Sequence, residues 1–100
     1  MNKLIRNVKD WARERGLDKA SPAKQFLKVV EEVGEVAEAL AKSQNEKVCD
    51  AIGDVVVTLI ILSMQLGVNL EECLRVAYDE IKDRQGEMVN GVFVKEEDLK

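Results

Sequence analysis

The sequence contains no histidine, a single proline and only four aromatic residues in 100 positions. Without histidine the chain has no imidazole for acid–base catalysis, for a Ser-His-Asp triad or for a histidine-rich zinc site. Its two cysteines, Cys49 and Cys73, have neither the spacing of a zinc site nor the pattern of a disulfide framework. We expect both to be buried free thiols in a reducing compartment. A metal bound by this chain is therefore expected to have oxygen ligands.

The chain also lacks a long apolar run and an excess of basic residues. Its longest apolar run, residues 55–66, is too short to cross a bilayer, and the charged N-terminal segment lacks the apolar core of a signal peptide. We therefore expect a cytoplasmic protein with no membrane partner. The net charge of -4 gives no general positive field, so nucleic-acid binding is not expected.

The composition is that of a helix-rich globular protein. Hydrophobic residues make up 46% and charged residues 34% of the chain, which excludes a disordered polypeptide. A length of 100 residues is sufficient for one core. We expect a single all-α domain over residues 1–100.

Apolar residues recur at helical spacing in four segments, which predict four helices. The expected helices span about residues 2–15, 22–42, 46–66 and 70–86. Ser21 before Pro22 is a strong signal for the start of the second helix. The expected buried stripes are Leu4, Val8, Trp11 and Ala12 in the first helix; Phe26, Val29, Val30, Val33, Val36, Ala37 and Leu40 in the second; and Leu70, Cys73, Leu74, Ala77 and Ile81 in the fourth.

Short turns between these helices favour an antiparallel four-helix bundle. The C-terminal tail differs in character. Asn90 and Gly91 stand between apolar pairs and predict a tight β-hairpin, and residues 96–100 follow as a possible final helical turn.

Carboxylates cluster on the second helix within the stretch "EEVGEVAEAL", residues 31–40. Glu31, Glu35 and Glu38 share a narrow sector, with Glu32 beside it. Charged residues opposite an apolar stripe usually form a solvated face, and that interpretation is sufficient for this helix alone. The like charges nevertheless repel one another at this spacing.

The third helix changes this interpretation because it is apolar over nearly its whole circumference. Asp50 and Asp54 stand on one sector of it, one turn apart. Two carboxylates on a buried helix are costly unless a cation compensates them. The expected metal ligands are Glu32, Glu35, Asp50 and Asp54. Such oxygen ligands suit Mg²⁺ or Mn²⁺, and Mg²⁺ commonly recruits substrate phosphates.

The two acidic motifs resemble those of a known family. "EEVGE" at 31–35, followed by "DAIGDVVVTL" at 50–59, is similar to the MazG-like all-α nucleoside triphosphate pyrophosphohydrolases. The tail "IKDRQGEMVNGVFVKEEDL" resembles that of short single-domain MazG-like proteins of bacteria and phages. The resemblance implies Mg²⁺-dependent hydrolysis of a (d)NTP to the monophosphate and pyrophosphate, a possible role in cleaning the nucleotide pool, and a homodimer or homotetramer.

The resemblance also assigns roles to individual positions. Glu32 and Glu35 match the metal-binding glutamates, and Glu31 matches the first glutamate of the paired motif. Asp54 matches the aspartate of the family's Glu-x-x-Asp motif. A water oriented by carboxylates would attack phosphorus, with Glu31 or Glu38 as the catalytic base.

Substrate-binding residues are expected at both ends of the chain. In the fourth helix, Asp79, Lys82 and Arg84 fall where the family places phosphate-contacting residues, although Lys82 can equally form an exposed ion pair with Asp79. Further candidates are Trp11, Lys24 and Gln25, of which Trp11 is as well explained as a core anchor.

The chain departs from the family pattern three residues before Asp54, where Ala51 replaces the usual glutamate. Asp50, one residue earlier, is the nearest acid. This departure keeps open a non-enzymatic helical interaction or nucleotide-binding module. A phosphoribosyl-ATP pyrophosphohydrolase-like enzyme, which shares the fold, is the alternative among enzymes.

Overall fold

The computed structural model describes residues 2–99, which contain four α-helices and one two-stranded antiparallel sheet. The helices are α1 (Asn2–Glu14), α2 (Pro22–Ala41), α3 (Asn45–Gln65) and α4 (Leu70–Ile81), and the strands are β1 (Gly86–Val89) and β2 (Val92–Lys95). The expected all-α class with a short C-terminal hairpin is confirmed. The chain divides into two compact units, Met1–Leu70 and Glu71–Lys100, and the expectation of a single domain stays a prediction.

The first unit is organised around an αα-hairpin of α2 and α3. The Ser21 hydroxyl accepts a hydrogen bond from the Lys24 N–H at 3.3 Å, so Ser21 is the predicted N-cap of α2. A three-residue turn, with Ser43 at a φ of 53°, reverses the chain. The Gln25 side chain near the start of α2 donates to the Thr58 carbonyl in the second half of α3 at 3.1 Å. The two helices are therefore antiparallel, and the acidic motifs face the same region.

Helix α1 and a 3₁₀ turn at Leu17–Lys19 pack against α3. The Gln65 amide N–H donates to the Leu17 carbonyl at 2.8 Å. The predicted buried stripe of α1 is only partly right, because Ala12 is buried but Leu4 and Trp11 are exposed. Ile5 is buried in the core instead of Leu4. The side of α1 that packs on α3 is therefore rotated by one residue from the predicted side.

The core of the described residues is small and centred on α3. Its buried apolar members are Ile5, Ala12, Val29, Ala39, Ala51, Ile60 and Ile61. The prediction that the apolar face of α2 is buried is therefore mostly wrong. Val29 is buried, but Phe26 and Leu40 are exposed. Small Ala39 lies at the contact instead, because close helix approach favours small side chains there.

Helix α3 is long and apolar enough, by length and composition alone, to cross a membrane. The core helix of a soluble protein meets the same criterion, and α3 packs against α1 and α2.

The prediction of buried thiols is wrong, because Cys49 and Cys73 are both exposed. At helical spacing Cys49 lies about half a turn around α3 from Ala51 and Thr58, which are both buried.

The second unit contains the predicted hairpin. Asn90 and Gly91 have φ values of 50° and 82°, which is the left-handed pair that a tight two-residue turn requires. Gly86 pairs with Lys95, and the Glu96 N–H donates to the Gln85 carbonyl at 2.8 Å. The predicted last helical turn is present as a 3₁₀ turn at Glu96–Asp98; position 100 lies outside the described residues.

Helix α4 ends earlier than predicted. Its last residue is Ile81 rather than Gly86, because the backbone from Gln85 onward is hydrogen-bonded to the far end of the hairpin. The predicted buried stripe of α4 is also wrong. Cys73, Leu74, Ala77 and Ile81 are all exposed.

Candidate metal centre

Three of the four predicted metal ligands converge between α2 and α3. Glu32, Glu35 and Asp54 each place one carboxylate oxygen within 4.8 Å of those of the other two. The glutamates are one turn apart on α2, and Asp54 comes from the antiparallel α3. The αα-hairpin thus brings together Glu35 and Asp54, which are 19 residues apart in the sequence.

Glu32 carries the clearest structural indication that this group could hold a cation. Its Oε2 atom is buried and accepts no hydrogen bond from any residue that the structure describes. Desolvation raises the pKa of Glu32, and the neighbouring Glu35 and Asp54 carboxylates raise it further, while Lys28 acts in the opposite direction. A buried carboxylate oxygen without a donor is unfavourable, and a bound cation would remove that cost.

The geometry of the three carboxylates fits a hard divalent cation. Oxygens on one Mg²⁺, bound at about 2.1 Å, lie at most about 4.2 Å apart. The observed separations of up to 4.8 Å therefore need side-chain shifts of less than about 1 Å to reach this arrangement. Three carboxylates with no nitrogen or sulfur donor suit Mg²⁺ or Mn²⁺.

Asp50, the fourth predicted ligand, lies outside this group. It is exposed and lines a cleft of about 340 Å³ that adjoins the metal centre. The walls of this cleft, which we call the α2–α3 cleft, are formed by Glu35, Glu38, Ala39, Lys42, Gln44, Lys47, Asp50, Ala51 and Asp54. Ala51 is only 5% exposed, and its small side chain leaves the metal centre with three carboxylates rather than four.

The two candidate bases occupy different environments. Glu31 is exposed on α2. Glu38 lines the α2–α3 cleft and its Oε1 lies 2.7 Å from the Lys42 Nζ. Lys42, and to a smaller extent Lys47, lower the pKa of Glu38. A carboxylate held ionised in this way is a weaker proton acceptor.

The three candidate substrate-binding residues nearest the N-terminus contact other parts of the chain. Trp11 is 46% exposed, and the Arg15 guanidinium lies 4.3 Å from the centre of its ring. The Gln25 amide N–H is used in the hydrogen bond to Thr58 that joins α2 to α3. Lys24 is exposed, and its backbone N–H donates to the Ser21 cap. The structure therefore places Gln25 in a structural contact, and the substrate roles of all three stay predictions.

Asp79, Lys82 and Arg84 belong to the second unit. The Lys82 Nζ lies 3.5 Å from an Asp79 carboxylate oxygen, so the pair expected from their spacing is formed. Arg84 lines a separate cleft of about 450 Å³ in that unit, together with Glu80, Asp83, Gln85, Lys95, Glu96 and Glu97.

Two basic residues next to the three carboxylates were not predicted from the sequence. Lys42 and Lys47 line the α2–α3 cleft but were not among the predicted site residues. Their position on either side of the turn between the two acidic motifs is the signal that could have identified them. A basic residue beside a predicted metal centre is a natural candidate for phosphate binding.

The raised pKa of Glu32 predicts that protons compete with the metal. We expect the affinity for Mn²⁺ to fall as the pH is lowered from 7 to 5, because protonation of Glu32 begins above the ordinary pKa of 4.5. Mn²⁺ titration followed by electron paramagnetic resonance measures this. Glu32→Gln should bind Mn²⁺ more weakly at pH 7 and lose part of the pH dependence, whereas an unchanged pH profile in this variant would contradict the assignment.

The chain is similar to a known protein family and to a phage protein. The family model described as "MazG nucleotide pyrophosphohydrolase domain" matches residues 21–89. Over 66 residues the chain is 39% identical to the "Uncharacterized 18.2 kDa protein in rep-hol intergenic region" of Haemophilus phage HP1 (strain HP1c1). That alignment covers 65% of this chain but 40% of the phage protein, so the chain spans less than half of this relative. No solved structure matches the chain significantly.

Proposed function

Because the chain belongs to the MazG nucleotide pyrophosphohydrolase family, we propose that it hydrolyses (d)NTPs to the monophosphate and pyrophosphate in a Mg²⁺-dependent reaction that cleans the nucleotide pool. The observation that carries the proposal is the buried Oε2 of Glu32, which accepts no hydrogen bond from the described residues and lies among three converging carboxylates. Such an arrangement is unfavourable for folding without a cation. It is suited to a site whose function is to hold one.

Glu32, Glu35 and Asp54 would hold the metal. When bound, a divalent cation neutralises charge on phosphate oxygens and lowers the pKa of water. The remaining work of the protein is to position the substrate and a water molecule, because phosphoryl-type transfer needs little covalent help from side chains. Asp50, at the wall of the cleft, is placed to orient water or a second cation.

Of the two candidate bases, Glu31 is the better proton acceptor in our proposal. Glu38 is engaged by Lys42 at 2.7 Å, and its pKa is lowered. Glu31 is exposed and forms no ion pair with any residue in the described range 2–99. We therefore assign proton transfer to Glu31. We assign to Glu38 the role of positioning Lys42.

A second candidate function is supported by Ala51. This buried residue leaves three clustered carboxylates where the family commonly supplies a fourth. A site with reduced charge could bind a metal–nucleotide complex without turning it over. The chain would then be a helical nucleotide-binding module.

A substrate panel separates these functions. We expect pyrophosphate release from at least one of the eight common NTPs and dNTPs with Mg²⁺ or Mn²⁺, and none with EDTA. The panel should include phosphoribosyl-ATP, since hydrolysis of that compound alone would favour the other enzyme. Binding of nucleotides without any product would favour the binding module and contradict the proposed hydrolysis.

We also propose that the chain forms a homodimer or homotetramer. Several large apolar side chains of α2 and α3 are at least half exposed, namely Phe26, Leu27, Val30, Val33, Leu40 and Ile52. Soluble proteins seldom leave so many apolar side chains on adjacent elements in contact with water. Self-association would bury them.

A further inference from the structure

The α2–α3 cleft has a charged composition that the metal centre does not explain. One end is formed by Glu35 and Asp54, which belong to the metal centre. The same cleft is lined by two lysines, Lys42 at the end of α2 and Lys47 in the first turns of α3. A cavity of about 340 Å³ is large enough for a hydrated polyphosphate group.

We propose that Lys42 and Lys47 form a polyphosphate subsite that binds the pyrophosphate part of the substrate and retains it as product. This inference rests on the proposed function, because it takes the metal centre to hold the neighbouring phosphate. In this arrangement Lys42 and Lys47 bind the two phosphates that leave as pyrophosphate. The nucleoside then lies outside the end of the cleft that the lysines form.

The backbone of the turn fixes the positions of the two lysines along the chain. The Ser43 N–H donates to the Leu40 carbonyl at 3.1 Å, and the Gln44 N–H donates to the Ala39 carbonyl at 3.0 Å. These bonds close the end of α2 before α3 begins at Asn45. The positions of Lys42 and Lys47 are thus set by helical backbone and a hydrogen-bonded turn.

Both lysines line the cleft that also contains Glu38. Lys42 forms the ion pair with Glu38, and the charge of Lys47 also lowers the pKa of Glu38. Because the two ammonium groups belong to one cleft of about 340 Å³, one larger anion in the cleft can contact both. Pyrophosphate carries several negative oxygens and can replace Glu38 as their partner.

Charge balance predicts that the subsite works only with a metal. The cleft carries four carboxylates, from Glu35, Glu38, Asp50 and Asp54, against the two lysines. Without a cation this excess of negative charge repels a polyphosphate. A divalent cation at the metal centre cancels the excess, so pyrophosphate and Mg²⁺ are expected to bind together.

Calorimetric titration with inorganic pyrophosphate tests the subsite without relying on turnover. With Mg²⁺ present, Lys42→Gln and Lys47→Gln should each weaken pyrophosphate binding by roughly tenfold, the effect of one lost hydrogen bond between charged groups. Lys42→Arg and Lys47→Arg should keep most of the affinity, because the charge is retained. Lys3→Gln, an exposed lysine of α1, is the matched control and should bind as the unsubstituted chain does.

The outcomes distinguish the subsite from the proposed function. Loss of affinity in both glutamine variants, with helical circular dichroism retained, supports the subsite even if no nucleotide is hydrolysed. Unchanged pyrophosphate affinity in both variants overturns it, even if Glu35→Gln abolishes hydrolysis of nucleotides. Equal affinity with and without Mg²⁺, or no binding by the unsubstituted chain, also overturns it.

Discussion

Replacing Glu35 by glutamine is expected to reduce pyrophosphate release by at least about 100-fold. Loss of a residue that merely supports a metal ligand already costs about 10- to 100-fold in affinity or activity, and Glu35 is a proposed direct ligand because it belongs to the three-carboxylate group. Glutamine has the same size as glutamate but no charge. The substitution therefore weakens the electrostatic attraction for the cation without changing the volume of the side chain. Kinetic measurement of pyrophosphate release at saturating Mg²⁺ gives the rate.

The same substitution should leave the metal-free fold intact or make it more stable. Glu35 is exposed, and its charge contributes to the raised pKa of Glu32, so its removal relieves repulsion between carboxylates. A variant that is inactive but no less stable toward urea would separate a ligand role from a structural one. A destabilised Glu35→Gln variant would contradict this account.

Asp50→Asn is the matched control for Glu35→Gln. Asp50 lines the cleft but does not belong to the three-carboxylate group. We therefore expect its loss to reduce the rate by no more than about tenfold, the lower end of the effect of a supporting residue. A loss as large as that of Glu35→Gln would place Asp50 among the metal ligands.

Replacing Ile60 by alanine is expected to lower the free energy of unfolding by about 2 to 5 kcal/mol, the range for removing a large buried aliphatic side chain. Ile60 is 2% exposed and is the largest fully buried side chain among the described residues. The core is small, so few neighbouring side chains can move to fill the cavity. Urea unfolding followed by circular dichroism at 222 nm measures the loss.

Ile52→Ala on the same helix is the control for Ile60→Ala. Ile52 is 51% exposed, and a surface substitution of this kind is expected to change stability by about 0.5 kcal/mol or less. Equal losses in the two variants would contradict the burial pattern of the single chain. If the loss at Ile52 depended on protein concentration, it would instead support the proposed self-association.

Much of the local structure could be predicted because its signals are local. Ser21 and Pro22 set the start of α2, and Asn90 and Gly91 set the turn of the hairpin. Each depends on backbone preferences of two adjacent residues. The end of α4 could not be predicted in the same way, since pairing of Gly86 with Lys95 competes with the helix.

The cluster of three carboxylates could be predicted in outline because helical spacing restricts which side chains share a face. Glu32 and Glu35 are one turn apart, and Asp54 had to face them once α2 and α3 formed a hairpin. Asp50 satisfied the same spacing argument but lies outside the group. Whether a residue on the correct sector reaches the centre depends on its height along the helix axis and on side-chain length.

The burial pattern could be predicted less well. Apolar spacing marked Leu4, Phe26 and Leu74 as core residues, yet all three are exposed. A stripe of apolar residues shows that a helix has a face to bury but does not identify the surface that covers it. The prediction that both cysteines are buried was wrong for the same reason.

By itself the sequence determined the helices, the hairpin turn, the order of the acidic motifs and the preference for an oxygen-liganded cation. These properties follow from backbone preferences, from helical periodicity and from the absence of histidine. Only the tertiary structure decided that Glu32, Glu35 and Asp54 meet while Asp50 stands aside, and that Lys42 and Lys47 line the adjoining cleft. The reason is that the distance between side chains on different helices depends on how the helices pack, which periodicity within one helix does not specify.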